Sequence, residues 1–366
     1  MVRKPGPLRV AIVAPCFGSL GGVETFVCAL ARELHSHADV VVTLCFKKTK
    51  TFKLHTLLEQ SARETGAKVV FVDRASRELV AVIRDSDVVH LQNTSLDVAV
   101  IAKLLRKPLA LTIHGWRQGG SCLRTLVQDL GWKLGDRTWY NSDFVWRTWE
   151  PGGRRKKSER LPVVSKLPSG VVPTEQRKGF VFIARWVPNK GVDVLVEAYA
   201  RAKIDRREWP LVLIGDGPLR PAIEKKIRDE KIESIEIRGF VDEAQRDDAI
   251  RHARWMVTPP HTNEDLGLTP IEARHVGVPC IITRDGGLPE AGGMHALLCE
   301  PGDVDGLTKL LETAAAMEPA EYERRARETR LELFEQLQPL SIYLQRYREM
   351  VCRIGDGVAS VSTFQK

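Results

Sequence analysis

Short runs of β-branched and other apolar residues recur along the chain. Each is followed by a polar or glycine-bearing turn, and then by apolar residues at helical spacing. Residues 8–14, 40–46, 67–72, 87–91 and 109–113 read as strands in the first half, and 179–184, 211–214, 235–241, 255–257 and 279–283 in the second. Helical patterns separate them, clearest over 23–34, 192–199 and the stretch 304–354. Strand and helix in alternation predict an α/β protein with parallel, doubly wound sheets, in which ligands bind beyond the carboxyl ends of the strands.

A chain of 366 residues has room for two domains of ordinary size. The turn Leu167-Pro168-Ser169-Gly170 is the expected junction, giving domains at 1–170 and 171–339, with a patterned helix over 340–354. Residues 355–366 lack patterning and are expected to be a disordered tail.

Charge divides unevenly between the halves. Residues 1–170 carry 27 Lys+Arg against 15 Asp+Glu, or +12, and 171–366 carry 28 against 32, or −4. A basic first half fits an anionic acceptor or an anionic membrane surface. No zinc-finger spacing, basic heptad region or aromatic RNA-binding pattern accompanies it, so no nucleic-acid partner is expected. No apolar run is long enough to span a bilayer, and the start has no signal-type apolar core. The seven Cys form no C-x-x-C pair, which fits a reducing cytoplasm.

The densest chemistry lies between Trp255 and Gly293. The loop 259–268 follows a strand and is expected to enter a helix with Thr269 as N-cap, Pro270 in the first helical position and Gly277 as its stop. Such a helix start offers free amides and about half a positive charge to a phosphate. Glu264 on the loop and Glu272 in the first turn are expected to face one small volume. A second glycine loop, Asp285-Gly286-Gly287-Leu288-Pro289-Glu290, follows the next strand. Earlier, Arg185 and Lys190 stand five residues apart on a tight loop above a strand, where a forked and a point cation can grip a diphosphate from two sides.

In the first half, Gly18-Ser19-Leu20-Gly21-Gly22 joins a strand to a helix, so that backbone amides can approach a ligand. His114-Gly115 follows the fifth strand at its carboxyl end. Asp85-Ser86-Asp87 has the spacing of a metal-binding D-x-D but precedes a strand, so it reads as a decoy. The stretch 124–157 is rich in Trp and cations. That pairing suits a membrane interface or an anionic partner; the alternative is core Trp beside a solvated basic turn.

Glu264 and Glu272 separated by seven residues, with Gly267-Leu268 inside and Gly286-Gly287-Leu288-Pro289-Glu290 after, resemble the donor site of the retaining glycosyltransferases of family 4. The resemblance extends to Gly21-Gly22, His114, Arg185 and Lys190; Ser169 stands where the family usually has Asn. It implies the GT-B fold: two facing Rossmann-like domains with parallel sheets, the first binding acceptor, the second binding donor, and the terminal helix crossing back to the first. The implied reaction is retaining transfer of a hexosyl or N-acetylhexosaminyl group from a UDP- or GDP-type sugar to a hydroxyl of a glycan, glycolipid or small molecule, with no metal or other cofactor.

In that scheme His114, Glu264, Arg185 and Lys190 form the catalytic set. Arg185, Lys190, the amides after Gly267 and those of Gly21 and Gly22 would stabilise the leaving diphosphate. Glu272 would accept the ribose hydroxyls, and Glu264 with Gly267 and Leu268 would hold the sugar. His114 would reach the sugar from the other domain. Phe240 and Val241 would border the base, and Arg117 and Gln118 would meet the acceptor. A cytoplasmic enzyme, peripheral at the cytoplasmic membrane face, is the expected setting. A sugar phosphorylase or a nucleotide-sugar epimerase shares the fold, and a non-enzymatic membrane- or nucleic-acid-binding protein is the remaining alternative.

Overall fold

The computed structural model describes residues 6–161, 163–164 and 166–361, of which 353–361 by backbone alone. The chain divides into two compact units, one formed by the residues up to 165 together with those from 338 onward, the other by 166–337.

The first unit holds a seven-stranded sheet. Its strands are β1 (Leu8–Cys16), β2 (Val40–Lys48), β3 (Lys68–Val72), β4 (Val88–Gln92), β5 (Leu109–Ile113), β6 (Arg137–Tyr140) and β7 (Ser158–Arg160). The order is β3-β2-β1-β4-β5-β6-β7, and every neighbouring pair is parallel. Residues of β4 and β5 are all buried, which is why these runs read as unbroken apolar stretches rather than alternating ones. Sequence order reverses between β1 and β4. Crossovers leave in opposite directions there, opening a crevice at the carboxyl ends of those two strands.

The second unit repeats the plan with six strands: β8 (Lys178–Ile183), β9 (Leu211–Ile214), β10 (Ile235–Gly239), β11 (Ala253–Thr258), β12 (Cys280–Thr283) and β13 (Leu297–Cys299). Their order, β10-β9-β8-β11-β12-β13, is also parallel throughout and reverses between β8 and β11. Phe180 and Phe182 pack with Trp186, Leu195, Tyr199 and Trp255 on one side of the sheet, and Val181 packs with Met256, Ala273 and Ile282 on the other. Helix Ile342–Val361 belongs to the first unit, where Tyr343 and Tyr347 are fully buried against Trp139.

Several expectations need correction. The helix after the 259–267 loop starts earlier than expected: it is Leu268–His275, capped by Gly267 at φ +87°, so neither Thr269 as N-cap nor Pro270 at the first position holds. Pro270 is instead third in the helix, where its missing amide would also have had no intrahelical acceptor. Glu272 therefore lies in the second turn. At the other end Gly277 does stop the helix, with φ +72° and amide bonds from Gly277 to Arg274 and from Val278 to Ala273. β1 runs through Pro15 to Cys16, because Pro15 has no amide to place in a ladder but does not obstruct its neighbour. β10 stops at Gly239, which turns the chain at φ +68° and leaves Phe240 outside the sheet. Of the expected tail, 355–361 continue the terminal helix, since extending a formed helix costs little per residue; 362–366 lie outside the described residues.

Three of the four Trp in 124–157 are core: Trp139 in β6, Trp132 and Trp149. Arg155 lies 3.7 Å over the Trp132 ring and Arg154 4.3 Å over Trp146, so the cations cover the aromatics instead of standing apart from them. Asp85 pairs with Arg84 and Asp87 accepts the Arg9 amide at 2.9 Å, both serving the ends of local elements. Among the described residues no helix is long and apolar enough to cross a membrane.

Candidate active site

The reversal point of the second sheet collects the loops that follow β8, β11 and β12. The first two come from adjacent strands. Gly191, at φ +71°, lies so close to the second loop that a Cβ would stand 2.0 Å from the Pro259 carbonyl oxygen. The His261 amide donates to the Asn189 carbonyl at 3.2 Å. Lys190 and Glu264, one from each loop, form an ion pair with Nζ 2.5 Å from Oε2. Both side chains are mostly covered, so this pair is screened less than a surface one.

The third loop fixes the second. Buried Asp285 accepts the Asn263 amide on one oxygen and the Glu264 amide on the other, each at 2.7 Å. The Gly287 amide donates to the Glu264 carbonyl at 2.7 Å, and Thr283 Oγ1 to the Pro260 carbonyl at 2.6 Å. Gly286 has φ +55°, and a Cβ there would stand 2.1 Å from the Glu264 oxygen. Asp285 thus fixes the backbone that carries Glu264, a role that the sequence reading did not assign to it.

Arg185 is exposed; its carbonyl accepts the Val187 amide at 2.9 Å, while its guanidinium has no ion-pair or hydrogen-bond partner among the described residues. Its loop is nonetheless anchored: the next residue, Trp186, is buried and bonds the Asp216 carbonyl, and Gly217 packs on the Trp186 backbone. Helix Leu268–His275 begins at the end of the Glu264 loop. With Pro270 third, the amides of Leu268 and Thr269 are the free donors of its first turn.

Glu272 lies deeper, nine-tenths buried, with Oε1 3.6 Å from Arg246 Nη1. Its other oxygen, Oε2, is buried without a hydrogen-bond partner among the described residues. Burial pushes its carboxyl above the ordinary range, and Arg246 opposes the shift. Glu264 and Glu272 therefore hold different partners, Lys190 and Arg246. Phe240 is 81 % exposed just beyond β10, while Val241 packs on the core.

In the first unit, His114 stands after β5 beside the reversal point. Its amide donates to Asn93 Oδ1 at 2.9 Å and its Nε2 lies 2.8 Å from Gln92 Oε1. The Phe26 ring meets it edge-on at 5.5 Å. Burial lowers its pKa to about 4, so the imidazole is neutral near neutrality. Gly21 and Gly22 lie at the start of helix Gly22–His35, where the Gly21 amide is taken by Glu24 Oε2 at 3.2 Å. Arg117 is engaged: both oxygens of Asp129 receive its Nη2 at 2.7 Å, which ties the 114–121 loop to helix Cys122–Lys133. Gln118 is exposed. Gln92, His90 and Asn93 carry no local motif, and a polar residue inside or just past an otherwise apolar strand is the one available signal; Asp285 opens the second glycine loop but has no role assigned there.

Models of two families match the chain, "Glycosyltransferase Family 4" over residues 20–161 and "Glycosyl transferases group 1" over 167–331. The 2-deoxystreptamine N-acetyl-D-glucosaminyltransferase of Niallia circulans is 31% identical over 134 residues, 36% of this chain and 34% of that protein. The N-acetyl-alpha-D-glucosaminyl L-malate synthase of Bacillus anthracis is 29% identical over 185 residues, 49% of this chain and 47% of that one. The chain thus spans less than half the length of these curated relatives. Among solved structures, Anabaena Alr3699/HepE in complex with UDP and glucose superposes with a TM-score of 0.74 at 13% identity, covering 96% of this chain and 100% of that one. A glycosyltransferase from Rickettsia africae gives 0.78 at 16%, covering 94% and 99%. Two parallel sheets with this strand order, and both family models in sequence along it, place the chain among the group 1, family 4 glycosyltransferases of GT-B fold.

Proposed function

We propose that this glycosyltransferase moves a sugar, with retention, from a UDP- or GDP-type nucleotide sugar to a hydroxyl of a glycan, glycolipid or small molecule, without a metal ion. The observation that carries this reading is an unsatisfied pair of groups in one unit. Among the described residues, the Arg185 guanidinium has no partner and Glu272 has a buried oxygen lacking a donor. A nucleoside diphosphate supplies what each lacks: phosphate oxygens for the cation and ribose hydroxyls for the carboxylate. Lys190 and the Leu268 and Thr269 amides add positive potential at the position where charge builds on the leaving phosphate. Glu264, with the backbone at Gly267 and Leu268, receives the sugar hydroxyls, and Phe240 and Val241 border the base. The first unit takes the acceptor, with His114 as its catalytic group.

The relatives' names support a hexosyl or N-acetylhexosaminyl donor without choosing between them, since N-acetylglucosaminyl and GDP-mannose-dependent mannosyl transfer both occur among them. An epimerase reading is weaker: UDP-N-acetylglucosamine 2-epimerases share the fold with TM-scores of 0.61 and 0.58. A membrane contact through the basic first half is part of the proposal for a lipid-linked acceptor. Thermal-shift measurements with UDP, GDP, ADP and TDP, without added metal, test the donor half. Stabilisation by one diphosphate that is lost in Arg185→Ala supports it, and no shift with any at millimolar ligand overturns it.

A further inference from the structure

His114 does not stand alone in the first unit. From its Nε2 a continuous chain of polar contacts runs inward. Gln92 Oε1 lies at 2.8 Å, and the amide nitrogen of the same Gln92 lies 3.1 Å from Nε2 of His90. His90 Nε2 also meets Thr112 Oγ1 at 2.7 Å, and His90 Nδ1 meets the Tyr347 hydroxyl at 2.7 Å. Gln92, His90, Thr112 and Tyr347 are fully buried. Tyr347 comes from the terminal helix, 257 residues beyond His90 in sequence.

With the Gln92 carbonyl oxygen turned to His114 and its nitrogen turned to His90, the donors and acceptors of each group assign the protons as follows. An amide has an acceptor end and a donor end, so Gln92 treats the two imidazoles differently. Its NH2 faces His90 Nε2, which must then carry the lone pair, and the Thr112 hydroxyl shares that single lone pair. That places the His90 proton on Nδ1, donated to the Tyr347 oxygen. The carbonyl end of Gln92 accepts from His114, so His114 carries its proton on Nε2. The lone pair of His114 is then on Nδ1. Burial keeps both rings neutral: His114 is lowered to about 4, and His90 lies well below its ordinary value.

We infer that Gln92 and Tyr347 are positioning residues, which hold His114 in one ring orientation with its proton on Nε2 and its Nδ1 free to accept from the reacting sugar or acceptor. The link gives the returning terminal helix a functional task besides packing: Tyr347 sets His90, His90 sets the Gln92 amide, and the amide sets His114. This rests on His114 being used in the proposed transfer, but the chain itself can be tested separately.

The test uses the full chain with isotope-labelled histidine, observed by NMR. The expected result is an Nε2–H resonance for His114 that exchanges slowly with water, lost in Gln92→Leu and retained in Gln92→Glu, whose carboxylate still accepts. Tyr347→Phe, which keeps the ring and its packing, is expected to shift the same resonance. Steady-state kinetics then give a kcat lower by about tenfold in Gln92→Leu and Tyr347→Phe, with nucleotide-diphosphate affinity unchanged. A His114 proton on Nδ1, or an Nε2–H signal indifferent to both substitutions, overturns the relay. An intact relay with unaltered kcat in both variants overturns its positioning role. Failure of the wild type to bind any nucleoside diphosphate would instead overturn the donor reading, and the resonance test would still decide the relay.

Discussion

Lys190 Nζ and Glu264 Oε2 meet at 2.5 Å where the second sheet reverses its strand order, each arriving on the loop of a different strand. Within the ligand-free unit each neutralises the other. A diphosphate would compete with Glu264 for Lys190. Glu264→Gln is therefore expected to leave UDP or GDP binding equal or tighter, because it frees Lys190, while lowering kcat at least tenfold through loss of about 1.5–3 kcal/mol of charged hydrogen bonding to the sugar. Isothermal titration with the diphosphate alone, set against turnover, checks this; weaker diphosphate binding in the variant would contradict it.

The Arg185 guanidinium has no partner to lose among the described residues. Arg185→Ala should leave the ligand-free melting temperature unchanged and raise the diphosphate dissociation constant by roughly 10–150-fold, from about 1.5–3 kcal/mol per charged hydrogen bond. A melting curve and a binding isotherm on one preparation suffice, and a fall in ligand-free stability would mean that the side chain does structural work.

Glu272 offers the reverse experiment. Glu272→Ala removes a buried carboxylate whose Oε2 has no donor among the described residues and whose Oε1 partner, Arg246, keeps its bonds to Asp247, so the cost to ligand-free stability should be small while nucleotide affinity falls by at least tenfold, for loss of charged hydrogen bonds worth about 1.5–3 kcal/mol. Uridine or guanosine binding, measured beside the diphosphate, should fall in step if the ribose is what Glu272 holds.

Asp285 supports the Glu264 loop through two amides. Asp285→Ala leaves both without their acceptor, at about 1–3 kcal/mol for each that stays buried. Gly286→Ala adds a methyl 2.1 Å from the Glu264 carbonyl at a positive φ. Both should lower the denaturant midpoint and kcat together, unlike Glu264→Gln, which should lower kcat without weakening diphosphate binding.

The first unit should be acid-sensitive. His114, at about 4, and His90, well below its ordinary value, are both depressed by burial in the folded state relative to 6.5. The unfolded chain therefore binds more protons below that value. The stability these neutral rings contribute is complete above about pH 6.5 and is lost as pH falls toward 4. Melting temperature should decline over that window, and His90→Gln should flatten the decline. An equal slope in the variant would place the sensitivity elsewhere.

The repeating run of strand, glycine turn and helix is a local property, so it was legible along the chain: five strands of each half, the parallel class, and the loops bearing Arg185, Lys190, Glu264 and His114 follow from side-chain period and turn chemistry alone. Three strands, Arg137–Tyr140, Ser158–Arg160 and Leu297–Cys299, were not, because runs of three or four residues carry no readable period and form only where a neighbouring strand supplies the ladder. The start of helix Leu268–His275 was misplaced because Gly267 at positive φ ends the loop earlier than a Thr-Pro pair would by itself. What only the tertiary structure decided is which polar groups find each other. Asp285 with the amides of Asn263 and Glu264, and Tyr347 with His90, are pairings across long stretches of chain. They arise because a buried donor or acceptor must be satisfied by whatever the packing brings within reach.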